Sequence, residues 1–415
     1  MVVLTHTTGN ANSRQALLAL YERKMLQAFY TALVWDPASP WNRVLPQGAR
    51  TQLSRRSFPD VPPSFIHSAP AHELCRVVLE RIGPRFLARS PRSPFSYKQC
   101  AIHFDCVVAR ALAAKPPSAV YGYTTGALET FRVARKLGIT TVYEVPTAHW
   151  HFMNRLLEEE RELEPEFAAT IPAIRTDPSW TARQDEELAL ADQVVVPCAY
   201  VRSSLPAELN VPVHVIPYGC PAVPNHLQPR SANRQGKLRV LFVGNLSQAK
   251  GISYLLKSVA ELGGELELTI IGKRTGPCKP LDEALRTCRW IESVPHSTVL
   301  REMEENDVLA FPSLSEGYGL VILEAMSRGM VVIATSNSGA RESITDGLNG
   351  FVVPIRSSQS FVEKLLALSS DRELLRTLSA GAMARARELG WERYREQLGT
   401  TMANILKKTG EFAFA

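Results

Sequence analysis

Two glutamates eight residues apart, Glu316 and Glu324, bracket the stretch Gly317-Tyr318-Gly319-Leu320-Val321-Ile322-Leu323. Glycines ahead of an apolar, helix-compatible run leave free N–H groups at the start of a helix, and with no Cβ in the way an anion such as phosphate can come close. Glu324 falls among Val321, Ile322, Leu323, Ala325 and Met326. A carboxylate in such company is costly unless something hydrogen-bonds it, and sugar hydroxyls are suitable donors. Spacing alone suits equally a Glu324 that caps nearby amides and a Glu316 that is an ordinary helix-entry acid. Lys250, in Asn245-Leu-Ser-Gln-Ala-Lys250-Gly251, stands at another helix start, an end of the helix dipole that disfavours a cation.

These residues need a scaffold that brings loops together. Short β-branched runs alternate with helical stretches along the chain, the rhythm of βαβ units and parallel sheets. The pattern predicts strands at 2–5, 29–34, 119–123, 141–145, 193–197 and 213–217, with helices at 13–24, 125–137 and 180–190 among them. The Pro-, Ser- and Arg-rich stretch 37–70 reads as a long loop with short helices. A Pro-rich passage at 217–229 with the polar tail 230–237 reads as a linker. A second alternation follows, with strands at 239–243, 266–271, 290–294, 308–312, 331–335 and 350–353, and the last 50 or so residues are helical. In open parallel sheets ligands bind beyond the carboxyl ends of the strands, and Lys250, Glu316 and Glu324 all follow predicted strands.

The motifs together resemble a known family, the retaining GT-B glycosyltransferases often called family 4 or "group 1". The resemblance is carried by Phe242-Val-Gly244-Asn245 through Lys250-Gly251, by Glu316 to Glu324, by Ser338-Gly339-Ala-Arg-Glu342, by Asp346-Gly-Leu-Asn-Gly350 through Pro354, and by Ala191-Asp192 and Ile216-Pro217-Tyr218-Gly219. It is strong over 192–354 and weak before. It implies two Rossmann-like doubly wound α/β domains facing a central cleft, 1–216 for the acceptor and 217–389 for a nucleotide diphosphate sugar. The helical segment 390–415, around Trp391, Tyr394 and Leu398, is expected to pack back on the first domain by fold analogy.

By that resemblance Lys250 meets the donor diphosphate, Glu316 the transferred sugar and Glu324 the ribose, while the amides of Tyr318, Gly319 and Leu320 hold phosphates. Gly244, Asn245 and Val294 join the donor-binding set. Two positions depart from the family pattern. Asn245 stands where an arginine is usual, and Pro146 where a histidine often sits beside the anomeric centre. His149 is the nearest substitute, as a sugar contact or as a helix-entry histidine satisfied by backbone, and Glu144 is a second candidate. The loop with Gly9 and Asn10 follows a strand and enters a helix, as the family's acceptor-side loop does; a plain turn fits it as well. No Asp-x-Asp triplet occurs, so no metal or other cofactor is expected, and positive protein groups must stabilise the leaving diphosphate. In the family the leaving phosphate takes the acceptor proton. A glycoside phosphorylase on the same fold and a non-catalytic sugar-nucleotide-binding protein are the alternatives.

With 415 residues, 45% hydrophobic and 21% charged, the chain has the composition of a soluble globular protein of two or three domains. The formal charge of +6 is uneven, since residues 1–136 hold 18 Lys/Arg against 7 Asp/Glu, a surplus of +11. Such a surface attracts phosphate-rich partners, such as a lipid-linked acceptor or an anionic membrane face, or is simply solvated. No aromatic-flanked basic motif points to nucleic acid. Seven cysteines without C-x-x-C spacing indicate a reduced, cytosolic protein. Neither a signal-peptide pattern nor an apolar run near the ~20 residues of a membrane span is present, so a cytoplasmic location is expected, with room for peripheral contact at the inner membrane face.

Overall fold

The computed structural model describes residues 1–36, 38–39, 50, 53–54, 56–81, 90, 93–172, 177–233 and 235–408. Much of the predicted loop 37–70 and the end of the C-terminal segment, 409–415, lie outside these. One sheet is formed by β1 (Val2–Thr5), β2 (Leu26–Thr31), β3 (Ile66–Ser68), β4 (Ala119–Tyr123), β5 (Thr140–Glu144), β6 (Gln193–Val196) and β7 (Val213–Val215). Its order is β3-β2-β1-β4-β5-β6-β7, with every neighbour parallel. The other is formed by β8 (Leu238–Val243), β9 (Leu266–Ile271), β10 (Arg289–Ile291), β11 (Val308–Phe311), β12 (Val331–Thr335) and β13 (Phe351–Val353), in the order β10-β9-β8-β11-β12-β13, again parallel.

Both sheets are doubly wound, as the alternation predicted. Strands such as Val-Leu-Ala-Phe in β11 and Val-Val-Ile-Ala-Thr in β12 are buried at every position, because helices cover both faces of a parallel sheet. The differences are local. Strand β2 starts at Leu26 rather than 29, since Lys24 adopts a left-handed φ of 56° that ends the preceding helix and turns the chain at once into the sheet. Strand β3 falls inside the predicted loop: three residues long, at the sheet edge, with His67 and Ser68 exposed, it has no apolar pattern to read. Val294 lies beyond the end of β10.

Five helices matter to the site: α1 (Ala11–Glu22), α2 (Trp150–Leu163), α3 (Pro178–Ala189), α4 (Leu320–Ser327) and α5 (Trp391–Lys408). Helix α5 lies on α1. Tyr394, Leu398, Met402 and Leu406 join the core that contains Leu17 and Leu20, and Arg395 reaches Gln15 at 2.7 Å and Glu22 at 3.1 Å. The connection after β7 meets the start of α5, where Cys220 N donates to Leu389 O at 2.6 Å. A Cβ on Gly219 would stand 2.5 Å from Trp391 Cα, so only glycine lets these two segments cross so closely.

Candidate functional site

Each strand order reverses once, between β1 and β4 in the first sheet and between β8 and β11 in the second. Crevices for ligands form at such switch points, outside the carboxyl ends of the strands. In the second sheet the loop after β8 carries Lys250 and the loop after β11 carries Glu316, and the two side chains form an ion pair, each about a quarter exposed. Gly251 makes the approach of these loops feasible. Its φ is 66°, and a Cβ there would lie 2.0 Å from Pro312 O.

The loop after β11 then turns at Gly319, with φ 82°, into α4. The first N–H groups of a helix have no partner within it, so the amides around Gly319 and Leu320 form a positive terminus beside Lys250. The Tyr318 side chain is turned inward: its ring is buried, its hydroxyl lies 3.2 Å from Ser343 Oγ, and its carbonyl accepts Gly339 N. Glu324, one turn into α4, has Oε1 3.0 Å from His296 Nε2. His296 stands two residues after Val294, so the structure brings Glu324 and the Val294 segment together. His296 has no spacing signal that would have marked it. Gly244 has φ 156° and donates to Ile271 O at 2.9 Å, and Asn245 is exposed beside it.

Loops of the first sheet press on this site. A Cβ on Gly317 would lie 2.1 Å from Pro146 O. Cys198 Sγ donates to Gly317 O at 3.0 Å, Tyr200 hydroxyl donates to Ser315 Oγ, and Ala199 N donates to Glu342 Oε1 at 2.7 Å. Pro146 therefore meets the loop before α4 through its carbonyl. His149 is turned elsewhere: its Nε2 lies 3.3 Å from Asp185 Oδ1 on α3, its N–H donates to Ser204 Oγ at 2.9 Å, and burial pushes its pKa down. The structure does not bring its ring to Lys250 and Glu316. Glu144 is fully buried, accepting hydroxyls from Tyr121 and Tyr218 at 2.6 Å each, and burial raises its pKa. It ties β4 and β5 to the connection between the sheets.

A further link had no sequence signal. Glu160 on α2 is completely buried; its Oε1 accepts Gln248 Nε2 at 2.8 Å and Tyr254 hydroxyl at 2.9 Å, and its Oε2 accepts Arg356 Nε at 2.8 Å. Gln248 N donates to Thr170 Oγ1 at 2.9 Å. Gln248 and Lys250 share one short 3-10 turn, so α2 and the segment after it hold the lysine's backbone in place.

At the first switch point the loop after β1 is organised by His6, whose Nδ1 accepts the amides of Gly9 at 2.8 Å and Thr8 at 3.1 Å. Burial lowers the His6 pKa to about 4. Gly9 has φ 66°, and a Cβ there would strike Phe58 at 2.4 Å. Asn10 caps α1, accepting Ser13 N at 2.9 Å. Among the described residues no group of three His, Cys, Asp or Glu side chains is arranged to hold a metal ion, and no helix is long and apolar enough to cross a membrane.

Residues 225–385 match the family model described as glycosyl transferases group 1. The D-inositol 3-phosphate glycosyltransferase of Xylanimonas cellulosilytica is 29% identical over 201 residues, 43% of this chain and 48% of the relative. That of Arthrobacter sp. is 30% identical over 171 residues, 38% of this chain and 40% of the relative. The chain thus spans less than half the length of these curated relatives. Among solved structures, sucrose-phosphate synthase from Thermosynechococcus elongatus has a TM-score of 0.66 at 15% identity, over 98% of this chain and 99% of that one. HepE of Anabaena, in complex with UDP-glucose, has a TM-score of 0.57 at 15% identity, over 97% and 99%. The fold is the GT-B arrangement of two Rossmann-like sheets.

Proposed function

We propose that the protein is a glycosyltransferase that moves a hexose-type sugar from a nucleotide diphosphate sugar to a hydroxyl acceptor with retention of anomeric configuration. The unit 217–389 binds the donor and the unit 1–216 the acceptor. The observation that carries this reading is the Lys250–Glu316 pair at the second switch point, beside the open N-terminus of α4. A cation and a helix terminus together suit a diphosphate, and the group 1 match over 225–385 and the UDP-glucose held by a structural neighbour support the donor class.

In this reading the Glu316 carboxylate occupies Lys250 until the diphosphate replaces it, and Glu316 is then released toward the sugar. Glu324 accepts ribose hydroxyls. As the bond between the anomeric carbon and the phosphate oxygen breaks, negative charge grows on the diphosphate, and Lys250 with the Gly319 and Leu320 amides stabilises it without a metal. The acceptor hydroxyl attacks from the face the diphosphate leaves and passes its proton to a leaving phosphate oxygen. Contacts such as Pro146 against Gly317 exclude water and limit donor hydrolysis. The basic surplus of 1–136 suits peripheral contact with an anionic cytoplasmic membrane face, where glycolipid or polysaccharide acceptors are built.

A thermal-shift screen with UDP-, GDP- and ADP-sugars tests the donor class, since a ligand of the native state raises the melting temperature by mass action. One nucleotide family should stabilise the protein, and transfer assays with that donor separate a transferase from a phosphorylase or a silent binder. Normal turnover in Lys250→Ala, Glu316→Ala and Glu324→Ala alike would refute the assignment.

A further inference from the structure

The crevice at the first switch point has a chemistry unlike the second. We propose that it binds an uncharged polyhydroxyl acceptor, a sugar or cyclic polyol without phosphate; this rests on the transferase reading above and gives that reading its acceptor class. A cavity of about 180 Å³ opens where the loops after β1 and β4 meet, and Pro146, whose carbonyl abuts Gly317, lines its edge. At the roughly 30 Å³ a water occupies in the liquid, it has room for about six waters, the scale of one sugar ring.

The wall is made of hydroxyls and amides. Thr5, Thr8, Thr124, Thr125, Tyr123 and Asn10 line it with the His6 imidazole, and among the described residues no lining side chain carries a charge at neutral pH. Because His6 Nδ1 accepts two amides, the neutral ring keeps its proton on Nε2 as a donor. The nearby cation is committed to the scaffold: Arg14 donates to Gly9 O at 3.1 Å and to Ser57 O, and lies over the Phe58 ring.

One buried hydroxyl of this wall, Thr5 Oγ1, has no hydrogen-bond partner among the described residues. Buried hydroxyls are normally satisfied, and a polyol supplies donors and acceptors together. Thr125 adds an independent pointer. It is β-branched yet holds φ 76°, pinned by Glu187, which accepts Thr125 N at 2.7 Å, Ala127 N at 3.1 Å and Tyr143 hydroxyl at 2.7 Å. Strain of that kind persists where the surroundings impose it, and such positions concentrate at binding sites. A phosphorylated polyol, such as the inositol 3-phosphate in the relatives' names, needs a cation, and none lines this wall among the described residues.

The test is a transfer assay on the full chain, using the sugar nucleotide that stabilises the wild type. Acceptors are offered in pairs: myo-inositol and inositol 3-phosphate, glucose and glucose 6-phosphate, fructose and fructose 6-phosphate. We expect the neutral member of at least one pair to be used with kcat/KM about tenfold or more above its phosphorylated partner. Thr5→Val should raise the KM of that acceptor about fivefold with the donor KM unchanged, and Thr5→Ser should restore it. Preference for the phosphorylated member overturns the proposal. So does donor hydrolysis with no transfer to any acceptor in the set, or a Thr5→Val enzyme with unaltered acceptor KM. If no sugar nucleotide binds at all, the transferase reading itself has failed, and that outcome is seen before any acceptor is added.

Discussion

Glu160→Ala tests whether α2 holds the donor loop. The carboxylate is fully buried and takes three hydrogen bonds, from Gln248, Tyr254 and Arg356. Its removal leaves the Gln248 Nε2 with Ser253 Oγ alone at 2.6 Å, orphans the Tyr254 phenol, and leaves Arg356 with Glu159 at 3.3 Å and Leu156 O at 3.2 Å. Deleting one partner of a buried ion pair costs about 3–5 kcal/mol, and the partial exposure of Arg356 places this case near 3 kcal/mol. At roughly 2–4 °C per kcal/mol for a unit of this size, the melting temperature should fall by about 6–12 °C. Glu160→Gln keeps an acceptor for Gln248 or Tyr254 and loses only the charge, about 1–2 kcal/mol. Because Gln248 shares its turn with Lys250, Glu160→Ala should also lower the stabilisation given by a nucleoside diphosphate more than that given by the monophosphate. Scanning fluorimetry of the three proteins with and without nucleotide reads both effects. A melting temperature within about 2 °C of wild type for Glu160→Ala, or equal losses for the two nucleotides, would refute the reasoning.

Other perturbations separate the remaining parts. Glu316→Gln frees Lys250 from its ion pair, so calorimetry should show diphosphate binding unchanged or tighter while kcat falls; a weaker diphosphate affinity would count against the exchange. Gly317→Ala puts a Cβ 2.1 Å from Pro146 O, backbone against backbone, and should cost about 1–3 kcal/mol by chemical denaturation together with most turnover. His6 titrates near 4 in the folded chain and near 6.5 unfolded, so its contribution is complete above pH 6.5 and disappears as pH falls toward 4. Between pH 7 and pH 4.5 the wild type should lose about 2 kcal/mol more than His6→Asn in urea unfolding, and parallel pH profiles would contradict a neutral His6.

The second sheet was legible because its strands are buried on both faces and read as unbroken apolar runs, as in β11 and β12. Lys250 and Glu316 were each legible as residues that follow such a strand, but their pairing was not, because it depends on β8 and β11 lying side by side, which no local pattern states. Strand β3 was not legible, since its exposed His67 and Ser68 leave no pattern. His149 shows what spacing omits. Its distance from β5 suited the cleft, but its ring direction is set by Asp185, 36 positions along the chain on α3. Glu160 and Gln248 are 88 residues apart, and Thr125 is pinned by Glu187 from 62 residues away. Buried polar partners of that separation carry no local period, so the clasp on the Lys250 turn and the neutral wall near His6 emerge only from the folded chain.

The claim on which these readings converge is that Lys250 and the open end of α4 receive a diphosphate. Calorimetric titration of wild type and Lys250→Ala, each with the nucleoside diphosphate and monophosphate of the preferred base, addresses it directly. Loss of a charge-assisted hydrogen bond of about 1.5–3 kcal/mol should weaken diphosphate binding roughly 10- to 100-fold and leave the monophosphate within about twofold. Equal diphosphate affinities for the two proteins would contradict the account.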